Sequence, residues 1–514
     1  MRRLARKFAI AGCLSAIGLL LAVAGCTATA PPATVPITSP PQWFAPLPPA
    51  GSSLANPTVM STATSGLPHD GSLGSLSQWW AQQNDALLVE LIEAAQAVSP
   101  TIMTALSSIE QAQATRAVAE AALRPTLDAT AGLSRSLSAP TNRAAAAPAS
   151  LAQIGLQTSW EFDVFGKNRA MLGADRERLA GAQALWHDAR VTVAAEVARQ
   201  YYTLRSCEKL LLVSELDARS RFETSRLTAL VAKAGFEAPA TAALARASAA
   251  ESKSRATQQR AECDVDIKTL VALTALAEPV LRQKLAQAPA PAPQQGIAGI
   301  SSVPAEVLAQ RPDVFNAARE VAATSFEVGS ASAQRYPKLS LSGSITHSKT
   351  VIRGVSTGFE SWSIGPLALT VPLFDGGASQ ANLVAARARY EDAASKFRGI
   401  SRQAVREVEE ALVRLQSTSD RAGDAAVAED GYRASYAGTE ARYKAGLASL
   451  VELEESRRIL LSAQSALVNL ELERRNAWIA LYRALGGGWN INAPQAAPMT
   501  FDTPQAALPD RNQP

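Results

Sequence analysis

The chain contains segments in which apolar and polar residues alternate with a period of two. In Leu339–Ser348, leucine and isoleucine alternate with serine and threonine. Such alternation predicts a β-strand with one apolar and one polar face. A second strand is predicted at about Ser361–Phe374, where the positions of the apolar residues shift at Gly365-Pro366. The shift predicts a bulge or bend at that dipeptide.

The same pattern occurs a second time, earlier in the chain. Arg124–Gly166 contains two alternating segments about 211 positions before the later pair. The offset continues beyond the strands, since Glu196-Val197 corresponds to Glu407-Val408 and Ala234-Gly235 corresponds to Ala445-Gly446. A constant offset over about 200 residues indicates a tandem duplication.

Each copy is predicted to continue from its strands into two long helices. Proline is absent from 166–237 and from 374–492, and alanine, leucine, glutamate and arginine are abundant, which favours helix. Gly235 and Gly446 interrupt these segments, so we predict a hairpin turn at each. About seventy helical residues would extend roughly 100 Å, so the helices are expected to lie side by side in a bundle or tube. The predicted helices are 168–234 with 240–276, and 378–445 with 447–485.

The N-terminus has the organisation of a bacterial lipoprotein signal peptide. Basic residues precede an apolar segment, and small residues precede Cys26. The sequence LAVAGC at 21–26 predicts covalent lipidation of the Cys26 thiol, and the alternative is an ordinary signal peptide that happens to contain a cysteine. We expect no cofactor other than this lipid.

Segments rich in proline and small residues separate the remaining parts of the chain. We predict an extended tether without a core after the lipidation site, and a linker between the two copies. The first copy is expected to begin with a helix from near Leu76 to Leu123. The predicted order is a signal peptide (1–25), a lipidated tether (26–75), the first repeat (76–278), a linker (279–304), the second repeat (305–488) and a C-terminal tail (489–514).

Composition argues against several classes of function. Without the signal peptide the chain has 46 basic and 46 acidic residues, which argues against nucleic acid as a partner. The three histidines are far apart in sequence, and none has metal-ligand spacing. The sequence also has no phosphate loop or dinucleotide fingerprint, so we do not expect an enzyme.

Two cysteines are placed symmetrically about the first predicted turn. Cys207 and Cys263 are equidistant from Gly235, and in an antiparallel helix pair such residues lie at similar height. A disulfide is therefore one prediction for an exported protein, because the periplasm is oxidising. Two buried free thiols are the alternative.

The four alternating segments suggest a membrane protein. No segment of the mature chain has about 18 consecutive apolar residues, the length that a transmembrane helix needs. Alternation over about ten residues is instead typical of a transmembrane β-barrel, the alternative being a soluble sheet with one wet face. Four strands cannot close a barrel, and open edges are not tolerated in lipid, so several chains would have to share one barrel.

Five motifs make the interpretation more specific. They are WEFDVFGK at 160–167, RPDV at 311–314, VPLFDGG at 371–377, RYKAGLAS at 442–449 and LGGGW at 485–489. With these motifs the chain resembles the outer membrane factors, the TolC-like exit ducts of efflux and secretion systems. Within that family it is most similar to the NodT-like lipoprotein branch, with its OprM and CusC ducts. One departure is the first-copy turn, GFEAP at 235–239, which differs from its second-copy counterpart.

The resemblance implies a mainly α protein with membrane β-strands that assembles as a homotrimer. Each protomer would give four strands to a twelve-stranded β-barrel and its long helices to a periplasmic α-barrel. The implied location is the bacterial outer membrane, with a lipid anchor and a long periplasmic extension. The implied partners are outer-membrane lipid, a periplasmic adaptor and an inner-membrane pump.

The function implied by this resemblance is a passive exit duct for drugs, metals or other toxic solutes that the pump and adaptor deliver. One alternative is the exit duct of a type I protein-secretion system. Another, from a different class, is a structural coiled-coil lipoprotein without a channel.

The resemblance also implies an acidic gate. Similar ducts carry acidic residues six and nine positions after the second turn glycine, where this chain has Glu452 and Glu455. These lie three residues apart, on one helix face, and trimer symmetry would repeat them as a ring that favours cations. The alternative is a solvated helix face, since Glu454, Arg457 and Arg458 are charged too.

Overall fold

The computed structural model of the protein describes residues 30–36, 40–45, 80, 85–138, 147–289, 308 and 311–488. These residues belong to two compact units. The first comprises 1–37, 107–184 and 315–400, and the second comprises 38–106, 185–314 and 401–514, each within the described part. Each unit takes segments from both sequence repeats, so the repeats are not separate structural domains.

The order of helices and strands in each repeat is the predicted one. The first repeat contains α1 (Ala86–Val98), α2 (Pro100–Ala121), β1 (Thr126–Ser138), β2 (Ala147–Phe162), α3 (Lys167–Lys233) and α4 (Pro239–Thr274). A short helix α5 (Glu278–Gln287) follows it. The second repeat contains α6 (Pro312–Ala333), β3 (Lys338–Ile352), β4 (Val355–Thr370), α7 (Ala378–Lys444) and α8 (Leu450–Ala484), and a 3-10 turn (Gly486–Gly488) ends it.

The helix predicted from near Leu76 to Leu123 is interrupted. Ser99 separates α1 from α2 and has an extended backbone, with φ −66° and ψ 122°. The residue before a proline is disfavoured in the helical conformation, and Pro100 starts α2. Among the described helices none alone is long and apolar enough for a membrane span, whereas α1 and α2 together meet that criterion as a pair bent by 48°.

The four strands form one antiparallel sheet in the order β1-β2-β3-β4. Because β2 pairs with β3, the sheet joins the two sequence repeats. The register aligns the apolar positions on one face: Leu156 lies opposite Ile345, which lies opposite Trp362. All three side chains are exposed in the single chain. Serine and threonine dominate the other face, as the alternation predicts.

The second strand pair is longer than predicted at its hairpin end. The strands continue to a two-residue turn, Arg353-Gly354, in which both residues have positive φ, 50° and 84°. Such turns match the twist of a β-hairpin. The residues on either side of the turn lack regular apolar alternation, so sequence pattern does not mark them as strand. Similarly, β2 begins at Ala147, in a segment of alanine, proline and serine that lacks apolar–polar alternation; residues 139–146 lie outside the described part.

The irregularity predicted in the last strand is confirmed. Pairing between β3 and β4 shifts between Leu341 and Gly343, next to Gly365-Pro366. β4 ends at Thr370, earlier than predicted, because Pro372 has no N–H to donate to a neighbouring strand.

The predicted linker contains a helix at its start. α5 occupies 278–287, and its Leu281 and Leu285 are buried, at 0% and 5% exposure. Leucines four residues apart lie on one helical face, and this short apolar face was not distinguished from its proline-rich surroundings. Residues 290–307 of the linker lie outside the described part.

The N-terminal tether also has a core contact that was not predicted. Trp43 and Ala45 are buried against α7 and α8. The carboxylate of Glu409 accepts the backbone N–H groups of Phe44 and Ala45, at 2.7 Å each. The prediction of a tether without a core is therefore wrong for 40–45, because one indole supplies the apolar area that the surrounding prolines and serines lack.

A larger core in the second unit holds the first hairpin. Side chains of α1, α3, α4, α5 and α8 form one buried cluster, which includes the fully buried Leu88, Tyr201 and Leu270. The Tyr201 hydroxyl donates to Asp85 at 2.8 Å, so its polar atom is satisfied inside this core. The long hairpin helices therefore gain their stability from packing.

Candidate functional site

The two long hairpins turn through the same backbone motif, at the predicted glycines. Gly235 and Gly446 have φ of 82° and 73°, a conformation that glycine adopts without a Cβ clash. In each turn the residue after the glycine donates its N–H to the carbonyl five positions earlier, at 3.1 and 2.8 Å. This is the Schellman motif, which satisfies the last carbonyls of the helix.

The return helices begin differently. At the start of α8, the Ser449 hydroxyl accepts the N–H of Glu452 at 3.2 Å, and the Glu452 carboxylate accepts the N–H of Ser449 at 2.7 Å. This reciprocal pair is a capping box. α4 instead has Pro239 in its first turn, and its N-cap Ala238 makes no side-chain hydrogen bond. The unusual first-copy turn thus replaces a side-chain cap with the fixed φ of proline.

The residues of the predicted acidic gate, Glu452 and Glu455, are exposed near the start of α8. The backbone N–H of Ser449 holds the pKa of Glu452 below its usual value. The guanidinium of Arg458, paired with Glu455 at 2.5 Å, lowers the pKa of that carboxyl in the same way. Both groups are therefore ionised at neutral pH, and each already has a partner in its own chain. A ring needs several chains, so the gate stays a prediction.

A buried polar network lies close to these carboxylates along α8. Arg457 is only 4% exposed. Its guanidinium donates to Ser220 and Thr224 of α3 at 2.9 Å each, and to the Tyr436 hydroxyl of α7 at 3.2 Å. It also pairs with Glu454 at 3.0 Å. One side chain thus connects three long helices, and its removal would leave several buried polar atoms unpaired.

Glu454 binds a second arginine as well. Arg221 of α3 pairs with Glu454 and with Asp217, the latter at 2.9 Å. Ser248 of α4 donates to Glu454 at 2.8 Å. A single carboxylate therefore joins the second hairpin to both helices of the first. Charged groups removed from water in this way depend on one another, because breaking one pair leaves an uncompensated charge.

Sequence reasoning missed this network. The interpretation of Glu454 and Arg457 as part of a solvated helix face is wrong, whereas Arg458 is exposed as that interpretation requires. The spacing of Arg457 from the leucines of α8 was the sequence signal that could have predicted its burial. Arg457 lies four residues after Leu453 and three before Leu460, both buried, and therefore on the apolar face of α8.

A disulfide joins the two helices of the first hairpin. Cys207 of α3 and Cys263 of α4 are bonded, with Cα atoms 5.6 Å apart, and both are buried in the large core. This is the pairing expected from their equal distance to Gly235. The second hairpin contains no cysteine.

Cys26, the predicted lipidation site, lies outside the described residues. The described chain begins four residues later, at Ala30. The next two residues contact helices of the first unit: Ser325 donates to the carbonyl of Pro31 at 2.6 Å, and Tyr390 donates to the carbonyl of Pro32 at 2.9 Å. Pro31 and Pro32, five and six residues after the cysteine, are thus attached to the unit that contains the sheet.

Comparison with known proteins identifies the family to which the chain belongs. The profile described as "Outer membrane efflux protein" matches residues 91–276 and 303–487. The chain belongs to the outer membrane efflux protein family. The two matched segments correspond to the two sequence repeats, so the family match covers both copies of the duplication.

This efflux family member has relatives along most of its length. It is 26% identical over 413 residues to the solvent efflux pump outer membrane protein SrpC of Pseudomonas putida, covering 79% of this chain and 87% of the relative. It is 27% identical over 448 residues to outer membrane protein OprJ of Pseudomonas aeruginosa, covering 85% and 91%. Its fold is similar to that of the Campylobacter jejuni CmeC outer membrane channel, with TM-score 0.75, 21% identity, and 91% and 97% coverage.

Proposed function

We propose that this protein is the outer-membrane exit duct of a tripartite efflux system. It would give passive passage to drugs, metals or other toxic solutes that an inner-membrane pump delivers through a periplasmic adaptor. The relatives named for solvent efflux support a small-molecule cargo. No residue of the chain is assigned a catalytic role.

The observation that carries the proposal is the sheet with one apolar face and two open edges. In the described chain, neither β1 nor β4 pairs with a further strand. Unpaired edge N–H and C=O groups are very costly in lipid. β4 of one copy and β1 of the next would run antiparallel, so a head-to-tail ring closes the barrel with its alternation intact. Three copies, as the family resemblance implies, give twelve strands.

The ring is tested by the mass of the assembly. Native mass spectrometry of the purified protein should give a trimer that persists in detergent. A monomer that remains folded in detergent would contradict a shared barrel.

A lipid anchor at Cys26 is part of this proposal. The attachment of Pro31 and Pro32 to the helices next to the sheet would hold the acylated cysteine within a few residues of the membrane unit. Mass spectrometry of the mature N-terminus should find an acylated Cys26. Cleavage at another position, with an unmodified N-terminus, would contradict the anchor.

We also propose that Glu452 and Glu455 form the acidic ring of the gate. Glutamine can replace glutamate in a capping box, so Glu452→Gln/Glu455→Gln removes charge while the cap of α8 is retained. Trimers of this double variant should show weaker cation selectivity and weaker block by multivalent cations. Glu251→Gln, at an exposed carboxylate of α4, is the matched control. Unchanged selectivity in the double variant would return both residues to an ordinary solvated helix face.

The function itself is tested in cells. Deletion of the gene should increase susceptibility to several toxic solutes, and the wild-type gene should restore resistance. Normal susceptibility together with loss of a secreted protein would favour the type I secretion duct instead.

A further inference from the structure

The apolar face of the sheet changes character towards the hairpin ends of its strands. Along β3, the residues of this face are apolar from Leu339 to Ile345, and the basic residues His347 and Lys349 follow before Val351 at the turn. The solvent exposure of the side chains follows the same alternation. Ile345, His347 and Lys349 on this face are exposed, whereas Thr346 and Ser348 on the other face are not. In order from the helices towards the turn, this face presents Leu339, Leu341, Gly343, Ile345, His347, Lys349 and Val351.

A second basic residue lies on the same face two strands away. Arg135 of β1 is opposite Ser150 of β2, which is opposite Val351 of β3. Lys349 is two residues from Val351 and therefore on the same face. With strands about 4.8 Å apart and about 3.3 Å per residue, the Cα atoms of Arg135 and Lys349 are about 12 Å apart. Both side chains are exposed, and neither has an ion-pair partner in the described part of the chain.

The neighbouring side chains indicate how Arg135 and Lys349 lie relative to the membrane–water interface. Trp362 lies opposite Ile345 and is 75% exposed, and aromatic residues of membrane barrels concentrate at the membrane–water interface. Lys349 lies beyond that position, on the side of the hairpin turn. His347 is between them, but Glu360 is opposite it, with 3.6 Å between its Oε1 and the His347 Nδ1. A carboxylate repels an anion, so Arg135 and Lys349, which have no ion-pair partner among the described residues, fit an anionic group better than the histidine does.

We propose that Arg135 and Lys349 bind phosphate groups of lipopolysaccharide, the phosphorylated glycolipid of the outer leaflet. This proposal rests on the proposed outer-membrane duct, in which the helices are periplasmic and the hairpin ends face outwards. A glycolipid fits better than free phosphate because exposed apolar side chains for its acyl chains, among them Leu127 and Leu156, lie on the same face, at the level of Trp362 or nearer the helices. A basic residue near an anionic lipid surface strengthens binding about fivefold.

The test uses the purified full-length protein in detergent, titrated with deep-rough lipopolysaccharide that carries both lipid A phosphates. Arg135→Gln and Lys349→Gln should each weaken binding about fivefold, and together about 25-fold. Lys338→Gln is the matched control, since Lys338 lies at the opposite end of β3 and on its other face. Enzymatically dephosphorylated lipopolysaccharide should bind all variants equally. Arg135→Lys/Lys349→Arg, which keeps both charges, should bind like the wild type.

Equal affinity of the wild type and the double glutamine variant would overturn the proposal. Displacement of the glycolipid by an equimolar amount of inorganic phosphate would also overturn it, because the site would then belong to free phosphate. Ion conductance of the double glutamine variant should equal that of the wild type. A wild type that binds the glycolipid without conducting would contradict the duct and leave the lipid site in place, so the two failures are distinguishable.

Discussion

The two helical hairpins have the same turn but are held in different ways. The first is cross-linked between its own helices by Cys207–Cys263. The second has no cross-link, and Arg457 and Glu454 attach it to the first hairpin through buried hydrogen bonds and ion pairs. The duplicated sequence has thus diverged into a hairpin with a covalent cross-link and one that is attached by buried polar contacts and by apolar packing of α8 against the first hairpin. The proposed gate residues lie on the second.

The largest effect is expected from Arg457→Met. The change leaves buried partners of the guanidinium, including Thr224 and Ser220, without their donor. Loss of one member of a buried ion pair costs about 3–5 kcal/mol, so the attachment of the second hairpin to the first should be destabilised. We expect a lower melting temperature by circular dichroism and more frequent channel opening in planar bilayers.

The control for this prediction is the next residue. Arg458→Met removes an exposed ion pair with Glu455, and ion pairs on the solvent-exposed surface contribute little to stability. If Arg457→Met and Arg458→Met changed melting and opening equally, the buried network would not be what attaches the second hairpin.

Removal of the disulfide should have the next largest effect. Cys207→Ser/Cys263→Ser opens a loop with a sequence separation of 56 residues, and loss of such a cross-link costs about 2–4 kcal/mol. The double variant should unfold at lower urea concentration, and the wild type with reductant should match it. Channel opening should stay at the wild-type level, because the cross-link lies within the first hairpin. An unfolding midpoint of the wild type that is insensitive to reductant would contradict this account.

A smaller difference is expected at the helix starts. Ser449→Ala removes the cap of α8 and should destabilise its first turn by about 1 kcal/mol, with faster amide hydrogen exchange there. The corresponding residue of the first hairpin is Ala238, where Pro239 already fixes the turn. Ala238→Ser should therefore change exchange in α4 much less. Equal changes at the two positions would show that the caps are equivalent.

The smallest predicted effect concerns pH. The pKa values of Glu452 and Glu455 lie below the ordinary value of 4.5. Their charge, and the stabilisation that it gives the folded chain, is present above pH 4.5 and is lost as pH falls through the lowered values. Cation selectivity in bilayers should therefore be constant from pH 7 to pH 5 and decrease only below about pH 4.5. A decrease centred near neutral pH would assign the selectivity to other groups.

The duplicated order of elements follows from local pattern. Alternation predicted the strands and the shift near Gly365-Pro366, and the two turns followed from Gly235 and Gly446 in long segments without proline. Equal spacing about Gly235 also led to the disulfide. These features depend on residues that are near one another in sequence or symmetric about a turn, which is the information that one sequence contains.

The features that were missed depend on contacts between distant segments. Trp43 gains a core only because α7 and α8 form a surface for it. Arg457 is buried only because α3 and α7 supply partners for its donors. A charged residue near other charged residues is solvent-exposed in most helices, so pattern alone favoured the wrong environment for it.

The central claim, an outer-membrane exit duct, is tested most directly by conductance. Purified full-length trimers incorporated into planar lipid bilayers should produce discrete, uniform single-channel steps that favour cations. Arg457→Met should open more often with steps of the same size. A correctly folded trimer that inserts into the bilayer and never conducts, in the wild type and in this variant, would contradict the account.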